Sequence, residues 1–431
     1  MLYYFVRPLT FLFFHLFFRK IYLSGLRELK SGERTILAVN HPTAFLDPAI
    51  VASFTNPTQN FLLRGDVFSS PFYRWLLRQI HTIPIFRFRD GYSSLKNNQS
   101  TFDYCYELLH QRKYLLVLAE GQTRFEKRLR PIQKGTARMA FGAYEKYDIE
   151  DIRIIPVGVN YTDAYRTRSI VMVETGEPIW LSSYMDAYRE NPRKAHKQVT
   201  DEIARQLEQR VVHVEADEDE LFADQCLEMQ RNDLIGWTNW PATEESNELL
   251  RAEVGLARQI NQLPEEDKAP WREETARYFD QLKSLRIDDL TLARPTVDDF
   301  FNLLLVLIGA LPALLGFVLN YPPVGLSRRV ADSTVKRKEF YTSIRFGIML
   351  FGGLFYYLLL LPILLLIGHG AWYLLLAMPL LGICYVRWRE RYQRWSYCRR
   401  YKQLPAVVRS GLQETRSALV QRLKTLANAS A

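Results

Sequence analysis

Between residues 34 and 180 short apolar runs alternate with stretches whose apolar positions recur at helical spacing. Thr35–Val39 is an apolar run that ends directly at Asn40-His41 and reads as a buried strand. Further strands are predicted at 60–63, 82–86, 114–118, 152–159 and 169–174, with helices at 94–112, 133–146 and 186–212. Asp47-Pro48 resembles a helix start, with Asp as N-cap and Pro at the first helical position. Strand–helix alternation of this kind predicts an α/β domain whose functional groups sit at strand ends.

Outside that domain the apolar residues collect in long blocks. Residues 1–18 are rich in aromatics but are interrupted by Arg7 and Pro8 and lack a small-residue cleavage site. This composition fits a helix lying in a membrane interface, although a buried N-terminal helix satisfies the same pattern. Residues 346–368 are long enough to cross a bilayer, and 371–386 would do so marginally. Basic residues flank this pair on both outer sides, as expected of a hairpin with both ends in the cytosol. Residues 301–319 carry Pro312 between Gly309 and Gly316 and are read as a re-entrant or interface-lying element. The expected layout is therefore an interfacial helix at 1–20, a catalytic domain at 21–215 and a helical accessory region at 216–295. A membrane region at 296–390 and a basic cytoplasmic helical tail at 391–431 complete it. The charged stretch 221–290 carries no chemistry that its residues name.

The net charge of +9 suits either nucleic acid or anionic headgroups and phosphorylated substrates. The apolar blocks favour membrane lipids, and no nucleic-acid motif supports the other partner. Four cysteines are scattered with no C-x-x-C pair, so neither a disulfide framework nor a metal site is expected.

Four blocks carry candidate chemistry. The first is Asn40-His41 with Asp47, one way to build a base and the carboxylate that orients it. Asp47 also has an ordinary structural explanation as a helix cap. In the second, strand alternation sends Arg87 and Arg89 to one face, where both could meet a single anion or simply face solvent. The third, Ala119-Glu120-Gly121-Gln122-Thr123-Arg124 followed by Lys134-Gly135, is a cation-rich turn suited to phosphate or a plain basic loop. The fourth, Ile154–Val159 around Pro156, is apolar and unreactive.

In this order and spacing the blocks resemble those of the glycerolipid acyltransferase family, which acylates glycerol-3-phosphate and lysophosphatidate. The resemblance covers roughly residues 34–180. It implies an acyltransferase domain with a mixed central sheet flanked by helices. It also implies His41 as base with Asp47 as partner, and Arg87 and Arg89 on the acceptor phosphate. Asn40, Glu120, Gly121, Arg124 and Lys134 would complete the acceptor pocket, and Pro156 would belong to a wall near the acyl chain. His-(x5)-Asp replaces the family's His-(x4)-Asp, a form similar to that of glycerol-3-phosphate and dihydroxyacetone-phosphate acyltransferases. The third block has Ala for Pro and one inserted residue ahead of Arg124.

The expected reaction is acyl transfer from acyl-CoA or an acyl-carrier protein to a phosphorylated glycerol acceptor, without cofactor or metal, on the cytoplasmic side of a membrane. Lysophosphatidate, and after it a lyso-aminolipid, are alternative acceptors. A silent scaffold with the same fold is the non-enzyme alternative, and the absence of a Gly-x-Ser-x-Gly elbow counts against a serine hydrolase.

Overall fold

A computed structural model describes residues 2–86, 98–124, 126–235, 242–295, 299–368 and 370–428. The chain divides into two compact units, residues 1–213 with 240–254, and residues 214–239 with 255–431.

The first unit opens with helix α1 (Leu2–Phe17) and strand β1 (Lys20–Ser24). It continues with β2 (Arg34–Val39), α2 (Leu46–Phe54), β3 (Gln59–Arg64), α3 (Pro71–Gln79) and β4 (Thr82–Ile85). Then follow α4 (Asn98–His110), β5 (Tyr114–Leu118), α5 (Gly135–Tyr147), β6 (Ile152–Tyr161), β7 (Ile170–Thr175) and β8 (Ile179–Trp180). Helices α6 (Met185–Glu190) and α7 (Pro192–Glu208) come next. The helix expected at 186–212 is thus two, parted at Asn191, whose side chain caps α7 ahead of Pro192.

The strands form one mixed sheet in the order β4-β3-β5-β2-β6-β7-β1, extended at the far edge by β9 (Thr243–Glu245). Strands β4 to β6 in this order run parallel; β7 is antiparallel to β6, and β1 and β9 follow β7. The short β8 pairs with the start of β6. Two prolines stand where a missing N–H costs least. Pro84 lies in β4, an edge strand. Pro156 lies in β6 between the stretch paired with β8 and the stretch paired with β7.

Ile36 and Ala38 of β2 share a buried apolar cluster with α4, α5, α6 and α7 on one sheet face. Helix α1 packs on α2, through Phe11 and Phe14 on the Phe54 ring and a Thr10–Ser53 hydroxyl contact of 2.9 Å. Helices α2 and α5 therefore leave the neighbouring strands β2 and β5 toward opposite faces. This is the topological arrangement that opens a crevice at the carboxyl ends of parallel strands. Strands β1 and β9 have no counterpart among the expected elements: β1 opens the domain expected from 21, and β9 lies in the region expected to be helical.

The second unit is mostly helical: α8 (Glu220–Leu234), the end of α9 (Glu248–Gln262), α10 (Glu265–Ser284) and α11 (Asp289–Ala293). After these come α12 (Asp299–Thr334), α13 (Lys338–Gly347), a wider turn at 348–352, α14 (Gly353–Ile367), α15 (Tyr373–Gln403) and α16 (Ala406–Asn428). Arg416 of α16 is buried and reaches Asp289 at 2.8 Å and Asp233 at 2.7 Å, while Tyr278 donates to Asp289 at 2.8 Å. The tail from 406 is thereby held by α8, α10 and α11.

Helix α12 runs through Pro312 without turning back, so 301–319 is the first half of a 36-residue helix and not a re-entrant element. Lone prolines are tolerated in apolar helices when neighbours re-satisfy the backbone. The stretches 300–334 and 338–367 are each long and apolar enough to cross a membrane. Within the unit, α12 and α15 are in close contact: Gly316 faces the Leu381 carbonyl, and Trp388 Nε1 donates to the Val306 carbonyl at 2.7 Å.

Candidate active site

Strand β2 ends at Val39, and the two residues after it are fixed by neighbouring strands. Asn40 donates from Nδ2 to the Val159 carbonyl at 3.0 Å and accepts from the Val159 N–H at 2.7 Å. This amide straps the end of β2 to β6. It is buried, and both ends of the amide are engaged with Val159. The His41 N–H donates to Glu120 Oε1 at 2.9 Å, which ties the same turn to the end of β5.

The histidine ring is then held by α2. His41 Nδ1 lies 2.9 Å from Asp47 Oδ2. Asp47 is not the helix cap: α2 begins at Leu46, its cap position is Phe45, and no side chain caps it. The carboxylate turns back over the loop instead. Its Oδ2 accepts from the Thr43 N–H at 2.9 Å, and its Oδ1 accepts from the Thr43 hydroxyl at 2.5 Å and from Tyr161 OH at 2.9 Å. Asp47 has no exposed surface and the His41 side chain is 10% exposed. A fully buried carboxylate is tolerable only when its lone pairs are filled, and here the His41 ring and three donors fill them. The extra residue between His41 and Asp47 is absorbed in the 42–45 loop, as the contact itself demonstrates.

No other described residue bonds His41 Nε2. A ring with Nδ1 on a carboxylate keeps Nε2 as its exchangeable proton acceptor. Chemically, an imidazole held in this way at the carboxyl end of β2 is suited to general-base work.

Glu120 is buried beside it. Burial pushes its carboxyl up to about 7; the His41 N–H bond opposes this, and the Asp47 charge adds to it. Its Oε1 accepts the His41 N–H, so Glu120 fixes the backbone at His41. Gly121 follows at φ 69°, the left-handed region that a side chain strains, and an added Cβ would lie 3.0 Å from Gln133 Cγ. Tyr161, wholly buried, has its hydroxyl pushed far up by burial and then by the Asp47 charge, so it stays a donor.

The expected cations are less concentrated. Arg124 is exposed and pairs with Glu126 at 3.5 Å. Lys134 is exposed immediately before α5. Arg87 and Arg89 lie outside the described residues. Pro156 is buried in β6 opposite Ala38, one residue before Val157, which pairs with Val39. Thr43 and Tyr161 were not singled out from the sequence. Thr43 lies inside the motif and could have been suspected as an Asx-type partner of Asp47; Tyr161, 114 residues from Asp47, leaves no linear signal.

Residues 20–160 match the family model described as Acyltransferase. Two relatives from Saccharomyces cerevisiae are similar over this part. Glycerol-3-phosphate O-acyltransferase 1 is 28% identical over 120 residues, and glycerol-3-phosphate O-acyltransferase 2 is 28% identical over 117 residues. Each match covers 27% of this chain and only 16% of the relative's length. Among solved structures, the 1-acyl-sn-glycerophosphate acyltransferase PlsC from Thermotoga maritima is similar at 16% identity and a TM-score of 0.36, over 47% of this chain and 77% of that one. The matched segment begins with β1, ends within β6, and contains His41, Asp47 and Glu120 in the order that first suggested the resemblance. These likenesses support reading the domain at 20–160 as that of a glycerolipid acyltransferase.

Proposed function

We propose that the chain transfers a fatty acyl group from an acyl thioester to the hydroxyl of glycerol-3-phosphate, at a membrane and on its cytoplasmic side. The observation that carries this reading is the buried Asp47 carboxylate on His41 Nδ1, with Nε2 left to the substrate. His41 Nε2 takes the acceptor's hydroxyl proton as the oxygen attacks the thioester carbon. The C–O bond forms, the C–S bond breaks, and the thiolate of coenzyme A or of an acyl-carrier protein recovers the proton from the imidazolium. Asp47 stabilises that imidazolium. A thioester is reactive enough to need neither metal nor covalent enzyme intermediate. Arg124 and Lys134, with Arg87 and Arg89, supply positive charge for the acceptor's phosphate, which orients the hydroxyl. The acceptor is proposed from the His-(x5)-Asp spacing, and the activity for which the two yeast relatives are named supports it.

The test uses membranes containing the full chain, given labelled acyl thioester with glycerol-3-phosphate, lysophosphatidate or no acceptor. Ester should form with glycerol-3-phosphate, and His41→Ala should abolish it. Product only with lysophosphatidate would move the reading to that acceptor. No ester with any acceptor would leave the scaffold alternative, and full activity in His41→Ala would remove the mechanism.

A further inference from the structure

Helix α3 is placed where no soluble helix gains from its composition. It reads Pro71-Phe72-Tyr73-Arg74-Trp75-Leu76-Leu77-Arg78-Gln79, and none of its residues is buried. Phe72, Tyr73 and Trp75 are 62%, 53% and 58% exposed, and the Phe72 ring centre lies 5.8 Å from Tyr73 and 6.4 Å from Trp75. Single exposed aromatics are ordinary, but three in contact on one short helix form a patch that asks for an occupant.

The charges around it name the occupant. Arg74 and Arg78 stand one turn apart, an arrangement that is repulsive unless an anion lies between or beside them. Neither has a carboxylate partner among the described residues. From Val67 to Arg89 the sequence holds four arginines and no acidic residue. Aromatic rings interleaved with arginine are the composition of a surface that enters the headgroup layer, rings inward and guanidinium groups on phosphate.

The patch continues onto α1. Its Tyr4, Phe5 and Leu12 are 63%, 55% and 63% exposed, on the side away from Thr10 and Phe14. Tyr4 stands edge-on to His81, just beyond the end of α3, with ring centres 6.1 Å apart. Helix α1 was already expected at an interface; the structure adds a second helix, far from it in sequence, that shares the exposed face.

We propose that α3, together with the exposed side of α1, is a docking surface for an anionic lipid bilayer. The proposal rests on the membrane reading given above. Its occupant is favoured over a second copy or a protein ligand because the same chain carries two helices able to cross a bilayer, so lipid is held at high local concentration.

The experiment uses the full chain with Cys384→Ser, since the other three cysteines are buried. A bimane label is attached at Gln79→Cys on α3 or, as a control, at the exposed Gln198→Cys on α7. The protein is placed in nanodiscs of phosphatidylcholine with or without phosphatidylglycerol. Brominated lipid should quench the α3 label and aqueous iodide should not; the α7 label should behave the opposite way. Phe72→Ser with Trp75→Ser should abolish lipid quenching. Arg74→Gln and Arg78→Gln should each lower the docked fraction relative to undocked about fivefold in anionic discs and leave neutral discs unchanged. An α3 label open to iodide and untouched by brominated lipid overturns the proposal. A label shielded from both quenchers also overturns it, in favour of a second copy or a protein ligand. The readout is lipid proximity, so it stands or falls separately from acyl transfer measured on the same discs.

Discussion

At the residue scale the site is a buried carboxylate whose oxygens are filled by neighbouring donors. Tyr161 is the donor to Asp47 that comes from outside the His41–Asp47 loop, so Tyr161→Phe leaves one buried oxygen under-satisfied while the apolar packing survives. A lost hydrogen bond to a charged group costs about 1.5–3 kcal/mol. We expect kcat to fall about tenfold or more, with KM for the acceptor little changed. Steady-state kinetics checks this, and a fall in KM-dependent binding alone would contradict it. Glu120 makes a different prediction. Its carboxyl is raised from the ordinary value to about 7. A raised group contributes stability that is fully present below the unfolded value and is lost as pH rises through the folded one. The wild type should therefore lose roughly 3 kcal/mol between about pH 4.5 and 7 from this group. Glu120→Gln keeps an acceptor for the His41 N–H and should abolish that share of the pH dependence. Denaturation of both proteins in detergent at pH 5 and pH 8 decides it; equal slopes refute the assignment. The identities of His41, Asp47 and Glu120 were legible in the sequence because residue type and order carry them. Their geometry was not: Asp47 looked like a cap, since Asp before Pro at a helix start is the usual capping pattern, and only the fold shows its oxygens turned to Thr43 and Tyr161.

At the element scale, the parallel strands were the most readable. Tyr114–Leu118 was located to the residue because a strand buried on both faces is an unbroken apolar run. Strand β1 pairs with β7, far along the chain, and β9 is three polar residues at an edge, so neither has a local pattern to find. The 186–212 helix was read as one because Asn191-Pro192 is as good a helix start as a helix break. In the second unit, α12 continues through Pro312 where a re-entrant or interface-lying element was expected, and it packs against α15. That packing gives a prediction. A Cβ on Gly316 would stand 2.0 Å from the Leu381 carbonyl, which is backbone and has no rotamer to yield. Gly316→Ala should push α12 from α15 and cost about 1–3 kcal/mol, read as a lower melting midpoint in detergent. Gly347→Ala, where nothing lies within 4 Å of the added carbon, is the control. Equal melting of the two variants would show that the close approach is not maintained.

At the scale of the whole molecule, two compact units are interleaved in sequence: residues 240–254 return to the first after the second has begun. Contiguous boundaries at 215 and 295 could not have captured this, because the return is made by β9 pairing with β1. The helices at 300–334 and 338–367 predict a protein held by the bilayer and not merely attracted to it. After a high-salt wash and then an alkaline carbonate wash, the full chain should stay with the membrane pellet; release by either wash would contradict spanning. The net charge of +9 and the +9-independent apolar blocks belong to the sequence and need no fold to be read. So does the resemblance to the family, because His41, Asp47 and Glu120-Gly121 keep its order even with an extra residue between His41 and Asp47. Hydrophobic period likewise determined the alternating α/β core, since burial of each run is a local property of its pattern. Only the tertiary structure decided which donors fill the Asp47 carboxylate, that Asn40 is a strap between strands, and that Tyr4 of α1 meets His81 beyond the end of α3. These are contacts between residues far apart in the chain, and a linear pattern contains no term for them.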